Sequence, residues 1–231
     1  MICKTPQISG MMLKMRYAIA DIHGCCKTFR GLLDKMQIRE TDHLYLLGDY
    51  IDRGPDSKGV LDTMMNLNCR MVALRGNHED LWLKTAGAGM DRRRFFHYNY
   101  WMEDGILAGL NSFGETDPRP YLNFLSTLPL YTELDDYLLV HGEFDFSLTD
   151  PFGVGGEESM LWGRGKTYSG KKRVICGHTP LKLDKIITGL QTNRINIDNG
   201  CYYSRQEGYG HLLAYGLDDG RLYIQENIDG D

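Results

Sequence analysis

Residues 44–57 read Leu-Tyr-Leu-Leu-Gly-Asp-Tyr-Ile-Asp-Arg-Gly-Pro-Asp-Ser and place an apolar run directly before two carboxylates and a guanidinium. Apolar residues 44–47 are typical of a buried strand, and Gly48 lets the backbone leave the sheet sharply. A Gly-Pro pair then ends the excursion. The charged residues are therefore predicted at the carboxyl end of a strand, where open α/β sheets bind ligands. They are Asp49, Asp52 and Arg53.

Four further stretches repeat this pattern of an apolar run followed by side chains that can bind a metal. A single histidine after a strand is usually an ordinary loop residue, but five such clusters in one chain favour a shared site. The four are residues 17–20 before Asp21 and His23, 71–74 before Asn77 and His78, 137–140 before His141, and 173–176 before His178.

Six of these side chains form a mixed set of oxygen and nitrogen donors without a thiolate. The size of the set suits two divalent ions that share one carboxylate. It favours Mn, with Fe, Zn, Co or Ni as alternatives, over a cysteine-type zinc site or a pure Mg or Ca site. The six are Asp21, His23, Asp49, Asn77, His141 and His178.

The order of the motifs over residues 17–180 resembles the metallophosphoesterases of the phosphoprotein phosphatase family. The motifs are Asp-x-His-Gly, Gly-Asp-x-x-Asp-Arg-Gly, Gly-Asn-His-Glu, His-Gly and Gly-His-Thr-Pro. In size and in its later motifs, the chain is similar to the small bacterial and phage lambda-type serine/threonine protein phosphatases. The resemblance implies the calcineurin-like metallophosphoesterase fold. This is a mixed α/β fold, a four-layer αββα sandwich of two mixed sheets flanked by helices.

The resemblance also implies a role for each motif residue. Asp21, His23 and Asp49 would bind one metal, and Asp49, Asn77, His141 and His178 would bind the other, with a shared hydroxide attacking phosphorus in line. His78 would be the general acid, and Asp52 would orient its imidazole. Arg53, Arg164 and Asn77 would bind the phosphate. The alternative for Arg164 is an ordinary surface arginine in a glycine-rich turn.

Three functions are compatible with these motifs. The expected one is a serine/threonine protein phosphatase that acts on phosphorylated proteins or peptides, with small phosphoesters as further substrates. The alternatives are a nucleotidase like the symmetrical diadenosine tetraphosphate hydrolases, and a non-catalytic phosphate-binding scaffold. Asp52 favours the phosphatase, because related dinucleotide hydrolases typically lack this second aspartate. The complete ligand set argues against the scaffold.

Composition limits the other classes of partner. The 231 residues, 42% of them hydrophobic, predict one catalytic domain over residues 16–228, preceded by a flexible arm at 1–15. A net charge of -5 argues against nucleic acid and anionic membranes as partners. Without a signal-peptide pattern or a long apolar run, we expect a cytoplasmic protein with reduced cysteines.

The remaining elements follow from local patterns. Apolar spacing predicts helices at 27–37, at 57–68 with Ser57 as N-cap, and at 120–128. Residues 130–134 and 137–140 predict a hairpin, followed by a loop at 143–171. Strands are predicted at 186–187, 195–197, 211–215 and 222–225 as a second sheet, before a frayed terminus at 229–231.

Two segments have open interpretations. The helical insertion at 80–127 carries the basic run 92–94 and an aromatic cluster, which is either a solvated helix face or a surface that recognises acidic phosphopeptides or polyphosphate. The turn Asp198-Asn199-Gly200 is either a plain turn or a hydrogen-bond partner of the metal site.

Overall fold

The computed structural model describes residues 14–87, 111–165, 170–203 and 206–230. These ranges contain nine strands, six α-helices and one 3-10 turn. In chain order they are β1 Arg16–Ile19, α1 Cys26–Met36, β2 His43–Leu46, α2 Ser57–Met65, β3 Arg70–Ala73, α3 Asn77–Gly87, α4 Arg119–Ser126, β4 Tyr131–Glu133, β5 Tyr137–Val140, the 3-10 turn Val154–Gly156, α5 Glu157–Trp162, β6 Arg173–Cys176, α6 Leu183–Gly189, β7 Arg194–Asn196, β8 His211–Gly216 and β9 Leu222–Glu226.

The strands form two mixed sheets, as the resemblance implied. The first has the order β3-β2-β1-β8-β9, and the second has the order β4-β5-β6-β7. In the first sheet β1, β2 and β3 are parallel, while β8 and β9 are antiparallel additions. In the second, β5, β6 and β7 are parallel, and β4 forms the predicted hairpin with β5.

Alternation of side chains along β1 and β5 builds the four layers. Tyr17 and Ile19 pack into the core that contains residues of α1 and α2, while Ala18 faces a second core between the sheets. Leu139 of β5 enters that same inter-sheet core. Its neighbour Leu138 points the other way, into a third core that contains Met160 of α5. Successive strand residues face opposite sides of a sheet, so the layer order is α, β, β, α.

The parallel strands of both sheets end at the same place in the molecule. β1, β2 and β3 lead into Asp21, Asp49 and Asn77, and β5 and β6 lead into His141 and His178. The two-sheet core therefore brings five loops from distant parts of the sequence to one edge.

Two predictions about the last third of the chain are wrong. Residues 186–187 lie in helix α6 instead of a strand, since two adjacent isoleucines cannot by themselves distinguish helix from strand. Strands β8 and β9 extend the first sheet through β1, where Ala18 pairs with Tyr215, and do not belong to the second sheet. The second sheet consists of β4 to β7 instead.

Two predicted boundaries also need correction. Helix α2 ends at Met65, and its N-cap is Asp56, whose carboxylate accepts a hydrogen bond from the N–H of Gly59 at 2.8 Å. Ser57 is the first helical residue, and its hydroxyl accepts from the N–H of Asp52 at 2.9 Å. The predicted loop at 143–171 contains the 3-10 turn and helix α5.

Residue 229 is packed, although fraying was predicted for residues 229–231, of which the last lies outside the described residues. Asp229 is buried, and its two carboxylate oxygens accept from the N–H groups of Lys27 and Thr28 at 2.8 and 2.7 Å. Cys25, the residue before α1, makes no side-chain cap. The end of the chain therefore satisfies the first N–H groups of α1, which helices otherwise leave without partners.

Other predictions concern segments that the structure describes only in part. The basic run 92–94 and its aromatic neighbours lie outside the described residues, as does most of the N-terminal arm. The described cysteines, at positions 25, 26, 69, 176 and 201, are all free thiols. Each helix in the described ranges is too short or too polar to cross a lipid bilayer.

Candidate active site

Unfavourable backbone conformations are concentrated at this edge of the sheets. Among the described residues, six non-glycine residues have positive φ, and five of them lie in the predicted site motifs. The sixth, Gln37, ends helix α1. Residues held in this region cost about 1–3 kcal/mol each and typically cluster at functional sites. The five are His23 (47°), Asp49 (51°), Asp52 (71°), Arg53 (70°) and His178 (68°).

Glu79 supports the strained loop after β2. Its buried carboxylate accepts from the backbone N–H groups of Asp49, Tyr50 and Gly76 at 2.9, 2.9 and 3.0 Å. Burial, together with the nearby Asp49 carboxylate, raises the pKa of Glu79 to about 7. Glu79 belongs to the Gly-Asn-His-Glu motif, but no role was predicted for it from the sequence. The sequence did offer one indication of this role, because Glu79 lies in the first turn of α3, two residues after the metal-capable Asn77.

Asp49 lies between two groups of imidazoles. One of its oxygens lies 3.5 Å from His23 Nε2 and 3.9 Å from His78 Nε2. The other lies 3.4 Å from His141 Nε2. These side chains form two clusters that are able to bind a metal. We call them the first triad (His23, Asp49, His78) and the second triad (Asp49, His141, His178). Asp49 is the member that they share.

Backbone carbonyls orient two of these imidazoles. His23 Nδ1 donates to the carbonyl oxygen of Ile51, and His141 Nδ1 donates to that of Leu47, both at 3.0 Å. A carbonyl only accepts, so each Nδ1 carries a proton and each Nε2 is left to face Asp49. This is the arrangement that orients metal-binding histidines in proteins.

The second triad brings further donor atoms together. His141 Nε2 lies 2.9 Å from Asn77 Oδ1 and 3.1 Å from His178 Nδ1. Burial alone would lower the pKa of His141, but the Asp49 and Asp21 carboxylates raise it to about 10. The same negative potential favours a divalent cation. The described residues therefore fit a centre for two metal ions that share Asp49, and the identity of the metal stays a prediction.

Asp21 lies beside the second triad and belongs to neither group. Its carboxylate accepts from the N–H of His178 at 3.0 Å. A Cβ on Gly177 would lie 2.0 Å from Asp21 Oδ1, so only glycine permits this approach. Burial raises the pKa of Asp21, and the nearby Asp198 carboxylate raises it further. The predicted role of Asp21 as a metal ligand stays a prediction.

Asp198 is the acidic residue that the sequence left undecided between a turn and the site. It is buried after β7, and it accepts from the N–H of Gly200 at 2.7 Å. Burial, together with the Asp49 carboxylate, raises its pKa to about 6, although the hydrogen bond from Gly200 and the charges of His141 and Arg53 act in the opposite direction. Asp198 therefore shapes a turn, and its charge acts on the carboxylates of Asp21 and Asp49.

His78, a member of the first triad, forms a buried pair with Asp52. His78 Nδ1 lies 2.8 Å from Asp52 Oδ2, and the exposed fractions of the two side chains are 7% and 0%. The backbone N–H of His78 donates to Asp49 Oδ1 at 3.1 Å. This places Nε2 of His78 towards the centre of the site, where a proton donor would have to lie.

The two arginines predicted to bind phosphate lie in different surroundings. Arg53 Nη1 lies 3.4 Å from His23 Nε2 and donates to the hydroxyl of Tyr202. Arg164 is exposed after α5, although its charge reaches the site. Burial lowers the pKa of His178 to about 3, and the positive charges of His141 and Arg164 contribute to that shift. Tyr202 was not singled out from the sequence.

Comparison with known proteins identifies related sequences. The sequence profile of the calcineurin-like phosphoesterases matches residues 17–218. A symmetrical bis(5'-nucleosyl)-tetraphosphatase of Nitrosomonas europaea is 35% identical over 126 residues, which cover 54% of this chain and 43% of the relative. This chain thus spans less than half the length of that curated relative. An asymmetrical bis(5'-nucleosyl)-tetraphosphatase, PrpE of Anoxybacillus flavithermus, is 26% identical over 81% of this chain and 86% of its own.

A solved structure shares the fold over nearly the whole chain. A protein provisionally assigned as a diadenosine tetraphosphatase superimposes with a TM-score of 0.68 and 20% identity, covering 95% of this chain and 96% of its own. At this identity the similarity shows the fold alone.

Proposed function

This chain belongs to the calcineurin-like phosphoesterase family, and we propose that it is a metal-dependent hydrolase of dinucleoside polyphosphates. The main support for this proposal is the identity of its relatives, because symmetrical and asymmetrical bis(5'-nucleosyl)-tetraphosphatases align with this chain over half or more of its length. They favour the nucleotidase alternative over the serine/threonine protein phosphatase that the motifs alone predicted.

The shared position of Asp49 supports a reaction that uses two divalent cations, with Mn as the expected ion. When bound, two such cations lower the pKa of a water molecule and neutralise charge on the phosphoryl oxygens. The ligands that we propose are the six predicted donors, with Asp49 common to both ions.

The other predicted residues would bind the substrate and supply a proton. Arg53, Arg164 and the amide of Asn77 would hold non-bridging phosphoryl oxygens, since a planar guanidinium can donate to two of them at once. His78 would donate its proton to the oxygen that leaves phosphorus. Asp52, 2.8 Å from His78 Nδ1, would keep Nε2 directed at that oxygen.

The buried pair of His78 and Asp52 favours a second candidate, hydrolysis of phosphoserine or phosphothreonine in proteins. An alkoxide is a poor leaving group and needs a proton in the transition state, whereas a departing nucleotide phosphate needs little protonation. A positioned acid is therefore most useful for a phosphomonoester. This observation keeps the protein phosphatase as the alternative.

A direct competition between substrate classes tests the proposal. The chain is reconstituted with Mn and supplied with diadenosine tetraphosphate and a phosphoserine peptide, separately and together. We expect a higher kcat/KM for the dinucleotide and inhibition of peptide hydrolysis by it. Turnover of the peptide alone, at a rate that Asp49→Asn abolishes, would reverse the assignment in favour of the phosphatase. The Asp49 variant controls for contaminating hydrolases.

A further inference from the structure

A tight turn after β7 directs a tyrosine back into the site. Gly200 has a φ of 64°, and a Cβ at this position would lie 2.4 Å from the ring of Tyr203. Its N–H donates to the buried carboxylate of Asp198. The backbone therefore reverses over three residues, and the side chain of Tyr202 reaches Arg53 from a point 149 positions further along the sequence.

Tyr202 contacts Arg53 in two ways. Its hydroxyl accepts from Nη1 of the guanidinium, and the guanidinium carbon also lies 4.6 Å from the centre of the ring. The first contact is a hydrogen bond with a charged donor, and the second is a cation–π contact. One side chain thus restricts both the position and the tilt of the guanidinium plane.

The same ring contacts the metal-capable His23. The two ring centres are 5.1 Å apart at an interplanar angle of 85°, an edge-to-face arrangement. Nη1 of Arg53 lies 3.4 Å from His23 Nε2. Tyr202 therefore fixes the distance between the guanidinium and the first triad, which is the gap that a phosphoryl oxygen would have to bridge.

A positioned arginine binds an anion more tightly than a mobile one. A free arginine side chain samples many rotamers and loses conformational entropy when it binds a ligand. If the side chain is already held in place, the binding step no longer includes this entropy loss. The positive φ of Arg53, 70°, shows that the backbone is also constrained at this position. We infer that Tyr202 is a positioning residue that holds the Arg53 guanidinium in place for phosphate binding, a role that rests on the proposed function of Arg53.

Two substitutions separate the contacts. Tyr202→Phe removes the hydroxyl and keeps the ring, whereas Tyr202→Leu removes both. On Mn-loaded protein, we expect calorimetry to show that Tyr202→Phe weakens binding of inorganic phosphate about threefold to tenfold, the effect of losing one typical hydrogen bond. Tyr202→Leu should weaken it further, because the cation–π contact is also lost. Both variants should keep the Mn content of the parent.

A double-mutant cycle distinguishes positioning of Arg53 from a general structural effect. In the Arg53→Ala background, adding Tyr202→Phe should change phosphate affinity less than twofold, because the group that Tyr202 positions is gone. An equal loss in both backgrounds would overturn the inference. Phosphate affinity of Tyr202→Phe within twofold of the parent, while Arg53→Ala binds weakly, would overturn it as well. Unchanged affinity in Arg53→Ala would instead refute the proposed role of Arg53 itself.

The chain contains a matched control pair outside the site. The guanidinium carbon of Arg221 also lies 4.6 Å from the ring centre of a tyrosine, Tyr223 in β9. Tyr223→Phe makes the same chemical change beside the same type of cation. We expect phosphate affinity and kcat within twofold of the parent. A loss as large as that of Tyr202→Phe would show that the effect does not depend on the site, and would overturn the inference.

Discussion

The two sides of Asp49 differ in the groups that surround them. The first triad contains His78, which pairs with Asp52, and it is bordered by Arg53 with Tyr202. The second triad is bordered by the Asn77 amide, by Asp21, and by the Trp162 ring, whose centre lies 5.9 Å from that of His178. The proposed proton donor, His78, and the phosphate ligand that Tyr202 holds, Arg53, thus lie on the first side. The other two proposed phosphate ligands, Asn77 and Arg164, lie nearer the second side. The second side is bordered mainly by groups that hold its ligands.

This asymmetry indicates that the two triads have different roles in catalysis. Both triads can bind a cation. Variants of the His78–Asp52 pair should affect the chemical step, whereas variants of the metal ligands His141 and His178 should mainly affect metal affinity. Asp49 belongs to both triads, so its substitution should affect both the chemical step and metal affinity. The expected effects of substitutions can be ordered accordingly.

The largest effect is expected for Asp49→Asn. An amide lacks the negative charge that two cations would share, so both sites should weaken together. We expect kcat/KM for any phosphoester to fall about a thousandfold or more, since metal ions contribute several kcal/mol to the stabilisation of such transition states. Steady-state kinetics over a range of Mn concentrations measures this. Full recovery at high Mn would show that Asp49 affects affinity alone.

His78→Asn should have the next largest effect, and one that depends on the leaving group. A general acid contributes about a hundredfold to ten-thousandfold when the leaving oxygen needs a proton. We therefore expect a large loss of kcat on a phosphoserine peptide and a small one on p-nitrophenyl phosphate, whose leaving group is already stable. Equal losses on both substrates would show that His78 binds metal or supports the loop, as its place in the first triad permits.

Asp52→Asn should show the same dependence on the leaving group in weaker form. Asp52 contacts Nδ1 of His78 and does not itself transfer the proton. An amide can still accept a hydrogen bond, so the imidazole keeps its orientation but loses the charge that stabilises its protonated form. The ratio of the losses on the two substrates, measured beside His78→Asn, checks this. A larger loss than that of His78→Asn would contradict the assigned order of roles.

The smallest effect is expected for Arg164→Ala, compared with Arg53→Ala. Arg53 lies against the first triad and is held by Tyr202, whereas Arg164 is exposed and reaches His178 mainly through its charge. We expect a loss of kcat/KM greater than twofold for Arg164→Ala, but smaller than for Arg53→Ala. Twofold corresponds to about 0.4 kcal/mol. A smaller change would make Arg164 a surface residue, with Arg75 the next candidate for a second phosphate ligand.

The sequence predicted the parts of the fold and site that depend on local patterns. An apolar run in the sequence predicts each parallel strand, and the polar residues that follow these strands must meet at one edge of the sheets. For this reason the positions of Asp49, His78 and His141 could be anticipated. The left-handed conformations of the site were not predicted, because nothing in the identity of an aspartate or histidine requires positive φ.

The remaining features depend on contacts between distant residues. Asp229 caps a helix that begins about 200 positions earlier, and Tyr202 reaches Arg53 across 149 positions. The antiparallel addition of β8 to β1 likewise depends on pairing that no local pattern encodes. Glu79 supports the loop by accepting from four backbone N–H groups, a role that becomes visible only once the loop has a conformation.

The central claim is that one carboxylate, Asp49, is shared by two metal ions. The most direct test is to count the Mn ions bound to each chain at saturation, by elemental analysis of the desalted protein together with anomalous diffraction. The account predicts two ions per chain, both within bonding distance of Asp49, and weakened binding of both in Asp49→Asn. A single ion at saturating Mn, or two ions of which only one contacts Asp49, would contradict it.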